Sequence, residues 1–231
     1  MNTDAGFWCV VPAAGRGSRF GADLPKQYML VAGKPLIQWT LERLAAHPRI
    51  AGILVTLAQS DPCWDAMGLR LDKPLLRVNG GNQRADSVLA GLRGLPESVA
   101  DGDFVLVHDA ARPCIHPGDI DDLVERGLEA GGALLAAPLR DTLKRAAEDS
   151  RVQETESRDH RWRAMTPQFF RRGELQSALE SAQRRGVAIS DEAMAMEQAG
   201  FRPMLVEGRE DNIKVTTPAD LAIAEYLLQR E

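Results

Sequence analysis

Two neighbouring strings in this 231-residue chain have the residue types and spacing to work on a phosphate. Val10-Val11-Pro12-Ala13-Ala14-Gly15-Arg16-Gly17-Ser18-Arg19-Phe20 places a glycine-rich loop after an apolar run, and Pro25-Lys26-Gln27-Tyr28 follows closely. Gly15 and Gly17 can take positive φ and leave no side chain between backbone and ligand. Successive N–H groups can then converge on an anion. Arg16, Arg19 and Lys26 surround the same loop with cations. Backbone donors with mobile cations suit a polyphosphate whose charge shifts during reaction. Two familiar fingerprints fail. Phe20 stands where G-x-G-x-x-G needs its last glycine, and no G-x-x-x-x-G-K-[S/T] string occurs. A purely structural turn with solvated arginines is the other reading this loop leaves open.

Phe104-Val105-Leu106-Val107-His108-Asp109-Ala110-Ala111-Arg112-Pro113 is the second constellation. An apolar strand delivers Asp109 to its end among small residues, with Arg112 nearby. A single carboxylate beside a triphosphate loop is a natural Mg²⁺ ligand, and the metal would offset phosphate charge. An Asp–Arg turn pair is the alternative, and the nearby Gly15 loop favours the metal. His108 reads as a satisfied structural histidine. Gly80-Gly81-Asn82-Gln83-Arg84-Ala85-Asp86-Ser87 could bring backbone and side-chain groups to a base edge, or could be a turn leading into a helix. Asp211-Asn212-Ile213-Lys214-Val215-Thr216 puts Lys214 in a short strand before the last helix, although exposed lysines are the norm. Thr166-Pro167-Gln168 and Arg140-Asp141-Thr142 say little alone.

The elements that must hold these residues are legible as apolar runs alternating with amphipathic segments. Strands are expected at Phe7–Val11, Ile53–Ala58, Leu75–Val78, Phe104–His108, Ala133–Ala137 and Pro203–Glu207, with a further apolar run at Met165–Phe170. Helices are expected over Pro35–Ala46, Ser87–Arg93, Asp119–Ala130, Glu174–Arg185 and Asp191–Gly200. A last helix starts at Thr217-Pro218-Ala219-Asp220, with Thr217 as its cap. This order implies an α/β fold, a mostly parallel Rossmann-like sheet with helices on both faces. Ligands of such sheets bind beyond the carboxyl ends of the strands, where each motif falls. Residues 139–163 break the pattern and are rich in charge, which suits a projecting hairpin that meets a second subunit, or a solvated loop. We therefore expect one domain over residues 1–231 with that segment as an arm.

Composition narrows the classes. A net charge of −5 argues against general attraction to nucleic acid or anionic membrane. The 3 cysteines, Cys9, Cys63 and Cys114, have no metal-ligand or disulfide-framework spacing. No apolar segment approaches membrane-spanning length and no leader is evident, so a cytoplasmic protein is expected.

Taken in order, Pro12 to Arg19, Pro25 to Tyr28, Gly80-Gly81, Arg84 to Ser87, Val107 to Pro113, Thr166 to Gln168 and Asp211 to Thr216 resemble the 2-C-methyl-D-erythritol 4-phosphate cytidylyltransferases over nearly the whole chain. The resemblance implies transfer of CMP from CTP to the phosphate of methylerythritol phosphate, with release of pyrophosphate, in the non-mevalonate route to isoprenoids. It also implies a nucleotide-diphospho-sugar transferase type of sheet and a homodimer built by the arm. Carried over, Pro12, Ala13, Ala14, Gly15 and Gly17 would line CTP, and Ala110 and Arg112 would lie near it. Arg19 and Lys26 would steady the triphosphate and the transition state. Gly81, Asn82 and Ser87 would face cytosine, and Asp109 would hold Mg²⁺. Asn82 stands where the family pattern has an acidic residue. Thr142, Arg158, Thr166 and Lys214 would meet the sugar phosphate, with Arg158 reaching in from the partner. Ribitol 5-phosphate as acceptor, or a non-catalytic nucleotide-binding module, are the competing readings.

Overall fold

The computed structural model describes residues 6–15 and 24–230. The chain opens with β1 (Phe7–Pro12), and a single 3₁₀ turn (Lys26–Tyr28) precedes the small ribbon of β2 (Leu30–Val31) and β3 (Lys34–Pro35). Then come α1 (Leu36–Ala46), β4 (Ile50–Leu57), α2 (Pro62–Met67), β5 (Leu75–Asn79), α3 (Arg84–Arg93) and β6 (Phe104–Val107). Next are α4 (Pro117–Ala130), β7 (Ala133–Pro138), the hairpin β8 (Leu143–Ala146) and β9 (Val152–Glu156), and the long β10 (Trp162–Arg171). The chain closes with α5 (Arg172–Arg184), α6 (Glu192–Gln198), β11 (Met204–Glu207) and α7 (Pro218–Leu228).

Seven strands form one sheet in the order β11-β7-β10-β6-β1-β4-β5. The pairs β1–β4, β1–β6, β4–β5 and β7–β11 are parallel, whereas β10 runs antiparallel to both β6 and β7. Both faces are covered, so inner strands alternate between two cores rather than between core and water. Cys9 and Val11 join Ile37, Leu41, Ile120 and Leu123 under α1 and α4. Val10 turns the other way, into Val88, Leu92, Leu175 and Leu179 of α3 and α5. Gly91 permits the close approach of α3, because a Cβ there would stand 2.5 Å from Val10 Cγ1.

The mostly parallel α/β sheet matches expectation, and the differences have local causes. The chain turns back after β7 through the β8–β9 hairpin, and that return is what makes β10 antiparallel. Trp162 and Arg163 pair with Pro138 and Ala137, so the last residues of the charged segment belong to the main sheet. The helix expected from Ser87 begins at Arg84, because Gln83 and Asp86 form a reciprocal cap. Lys214 lies in no strand; this segment contributes one sheet-like bond, Val215 N–H to Ala111 O at 2.8 Å. Thr217 does cap α7, and Asp220 answers its backbone N–H.

Candidate active site

The chain leaves β1 and β6 side by side but continues to opposite halves of the sheet, creating a switch point at their carboxyl ends. A cleft of about 320 Å³ opens there. Pro12, Ala13, Ala14 and Gly15 leave β1 along one wall, and Gly81, Asn82 and Ser87 form another beyond β5. Asp109, Ala110, Lys26, Arg84 and Lys214 also line it. Among the described residues nothing lies within 4 Å of a Cβ placed on Gly15, and Gly15 is not among the glycines with positive φ.

The Gly80-Gly81 pair is required by contact. A Cβ on Gly80 would lie 2.5 Å from Ala14 Cβ, and one on Gly81 would lie 2.3 Å from Asp86 Cβ. Ser87 Oγ accepts from Gly81 N–H at 3.1 Å and donates to Gln83 O at 3.1 Å, which ties this loop to α3. On the opposite side, Gln27 Nε2 donates to Ala13 O at 2.9 Å. That bond seats the 3₁₀ turn against β1 and brings Lys26 to the cleft, where its Nζ donates to Val215 O at 3.1 Å.

Asp109 is the electrostatic centre and is only 6 % exposed. Its Oδ1 accepts from Arg84 Nε at 2.9 Å, its Oδ2 lies 2.8 Å from Lys214 Nζ, and Arg112 Nε is 3.6 Å away. Burial alone would push this carboxyl up, but Arg84, Lys214 and Arg112 overcome it and hold it well below the usual carboxylate range. It is ionised at any physiological pH. Its backbone is fixed as well: Asp109 N–H donates to Thr166 Oγ1 at 3.0 Å. His108 Nε2 lies 3.1 Å from Arg112 O, and since a carbonyl only accepts, that nitrogen carries the proton. Nδ1 then accepts from the Thr166 hydroxyl at 3.0 Å. His108 is fully buried, and burial pushes its pKa down to about 4. The structural reading of this histidine fits that network.

Not every expected residue reaches the cleft. Arg112 folds back beneath Asp109, where its Nη1 donates to Asn212 O at 2.6 Å, so it does not form the cleft wall. The cause is the tight turn in which Arg112 N–H bonds Asp109 O at 3.0 Å. Thr166 stands behind Asp109 as its backbone support. Thr142 and Arg158 are exposed on the arm and outside this chain's own cleft; the Arg158 guanidinium donates to Arg140 O. Gly17 and Arg19 lie outside the described residues.

Two charged side chains joined to Asp109 were not singled out by the sequence. Arg84 was part of a quoted string but stood before the expected helix, whereas its place as the first residue of α3 aims it at Asp109. Glu192, 1 % exposed, grips the far side of Arg84. A charged residue against the apolar Ala193, Ala195 and Met196 was the available signal.

Among the described residues no group of three or more acidic, histidine or cysteine side chains could enclose a metal. Mg²⁺ usually needs only one or two carboxylates, with water and phosphate oxygens completing its shell. Among the described residues Asp109 is the one carboxylate on the lining, and it retains lone pairs beyond those used by Arg84 and Lys214, so it fits that role.

A family model described as 2-C-methyl-D-erythritol 4-phosphate cytidylyltransferase matches residues 7–230. A protein of that name from Stenotrophomonas maltophilia is 55% identical over 98% of both chains. Another from Xanthomonas oryzae is 56% identical over 97% of this chain and 83% of its own. The crystal structure of the Francisella tularensis protein of that name shares 33% identity with a TM-score of 0.83, covering 96% of this chain and 100% of that one. The Thermus thermophilus structure shares 30% identity with a TM-score of 0.80, over 97% and 99% of the two chains. This chain belongs to the 2-C-methyl-D-erythritol 4-phosphate cytidylyltransferase family.

Proposed function

We infer that this chain transfers the CMP part of CTP to the phosphate of 2-C-methyl-D-erythritol 4-phosphate and releases pyrophosphate, a step of non-mevalonate isoprenoid biosynthesis. The observation that carries this reading is the convergence of Lys26, Lys214 and Asp109 in one cleft beside the Gly15 and Gly80-Gly81 backbones. A phosphate monoester is already nucleophilic near neutral pH, so the reaction needs alignment and charge stabilisation more than proton transfer. Lys26 stabilises charge gathering at the α-phosphate, with Arg19 proposed as its companion. Lys214 receives the acceptor phosphate. Pro12 to Gly15 carry the nucleotide, and Gly81 and Asn82 meet the cytosine edge. Asp109 would hold Mg²⁺, which when bound neutralises phosphate charge.

The enzyme is proposed to work as a homodimer. Among the described residues the β8–β9 hairpin forms a two-stranded sheet of its own, and an isolated two-stranded ribbon is marginal in water. Val152 on it is 63% exposed. Thr142 and Arg158 are exposed and lie off the lining of their own cleft, which supports the reading that Arg158 is supplied across the interface.

Pyrophosphate release from CTP and Mg²⁺, with methylerythritol phosphate and ribitol 5-phosphate run in parallel, tests this reading. A strong preference for the first is expected. Preference for ribitol 5-phosphate would overturn the acceptor, and silence with both would overturn catalysis. Solution mass tests the dimer.

A further inference from the structure

Each of the three Arg84 guanidinium nitrogens donates to a buried carboxylate. Nε donates to Asp109 Oδ1 at 2.9 Å, while Nη1 and Nη2 donate to Glu192 Oε1 and Oε2 at 2.7 and 3.0 Å. The two-point grip fixes the guanidinium plane, so the direction in which Nε meets Asp109 is decided by Glu192. Glu192 is fixed in turn. It is the first residue of α6, and Gln168 on β10 holds that helix end. Gln168 Oε1 accepts from Ala193 N–H at 2.7 Å, and its Nε2 donates to Asp191 Oδ2 at 2.9 Å. Gln168 lies opposite Val107, the last residue of β6, two positions before Asp109.

A buried ion pair is weak evidence of stabilisation, because desolvation offsets much of the attraction. Orientation is the more specific return. With Oδ1 taken by Arg84, the other carboxylate oxygen of Asp109 is the one beside Lys214. Glu192 also neutralises a cation that otherwise borders the cleft, since Arg84 is on its lining and Glu192 is not. An unheld Arg84 could turn toward substrate phosphate and leave Asp109 loose.

We propose that Glu192 is a positioning residue for the transfer reaction: by gripping the Arg84 fork it sets the orientation of the Asp109 carboxylate beside Lys214 without touching substrate. The kinetic side of this proposal rests on the function inferred above.

A double-mutant cycle tests it, with kcat and KM for pyrophosphate release measured on Glu192→Gln, Arg84→Gln and the double variant. Glu192→Gln should lose about 10- to 100-fold in kcat, as outer supports of a reacting group typically do, with a smaller change in KM for CTP. Glu192→Asp, which keeps the charge, should recover part of the loss. The double variant should be no worse than the poorer single one, because Glu192 acts through Arg84. A folded Glu192→Gln protein with unaltered kcat would overturn the proposal, and so would losses that multiply. If Glu192→Gln does not fold, Arg84→Lys takes its place. Lysine keeps the charge but cannot fork across two carboxylates, so the same kcat loss is expected and normal kcat overturns the idea.

A second readout is independent of turnover. The Arg84 Nε–H resonance, assigned by its loss in Arg84→Lys, should be protected from solvent exchange in the unaltered chain and exposed in Glu192→Gln. Equal protection in both would sink the proposal. If the unaltered chain releases no pyrophosphate, the functional reading fails and this resonance still decides whether Glu192 holds Arg84.

Discussion

Lys214 Nζ stands 2.8 Å from Asp109 Oδ2, so a cation delivered just before α7 is held by the carboxylate at the end of β6. Val215 N–H bonds Ala111 O at 2.8 Å, which clamps the two segments together beside the contact. Lys214 is thereby kept extended at the cleft without an anionic substrate. Lys214→Ala should lower kcat/KM for the acceptor by about 10- to 100-fold, the range expected for losing one charge-assisted hydrogen bond. Steady-state kinetics over acceptor concentration checks this, and an unchanged value would remove Lys214 from acceptor binding.

Lys26 is anchored from both sides, by its own bond to Val215 O and by the Gln27 bond to Ala13 O. Lys26→Ala should reduce kcat by on the order of 100-fold or more, comparable to losing an oxyanion donor. Near-normal pyrophosphate release would exclude it from the mechanism.

Gly81 has no room for a methyl group, since Asp86 Cβ would lie 2.3 Å from it. Gly81→Ala must displace the loop or the start of α3. We expect weaker CTP binding by calorimetry with the rest of the fold intact by circular dichroism. Unchanged affinity would show that this loop does not contact the nucleotide.

Thr166 satisfies two partners with one hydroxyl, accepting from Asp109 N–H and donating to His108 Nδ1. Thr166→Val leaves both buried groups unpaired and should cost about 1–3 kcal/mol of stability. Thr166→Ser should recover most of it. Urea unfolding of the two variants makes the comparison; equal losses would rule out the hydroxyl as the cause.

His108 sets a pH dependence of stability. Its folded pKa is lowered to about 4 from an ordinary 6.5, so between those values the unfolded chain binds the extra proton. The stabilisation is complete above 6.5 and is lost as pH falls toward 4, amounting to on the order of 3 kcal/mol. Unfolding free energies measured across this range should show a slope that His108→Gln reduces. Parallel slopes for both proteins would contradict the burial argument.

The residues that line the cleft and the parallel α/β order were legible because both are written locally. Apolar runs that end in small residues mark strands that stop at the cleft, as at Gly15, Gly81 and Asp109. Thr217 and Asp220 advertised the α7 cap for the same reason: its partners are three residues apart. Boundaries blurred where a cap was less familiar, as at Gln83, and Lys214 read as a strand residue although it forms none.

What only the tertiary structure decided is which charges meet. β10 runs antiparallel between β6 and β7, a placement that no periodicity announces, and Gln168 on it seats the helix carrying Glu192. Glu192 then meets Arg84, Arg84 meets Asp109, and Arg112, expected at the nucleotide, is drawn behind the same carboxylate. Local sequence specifies strands, turns and caps because their interactions span a few residues. The partner of a buried charge is chosen by the packing of distant elements, where desolvation makes an unpaired ion too costly to leave.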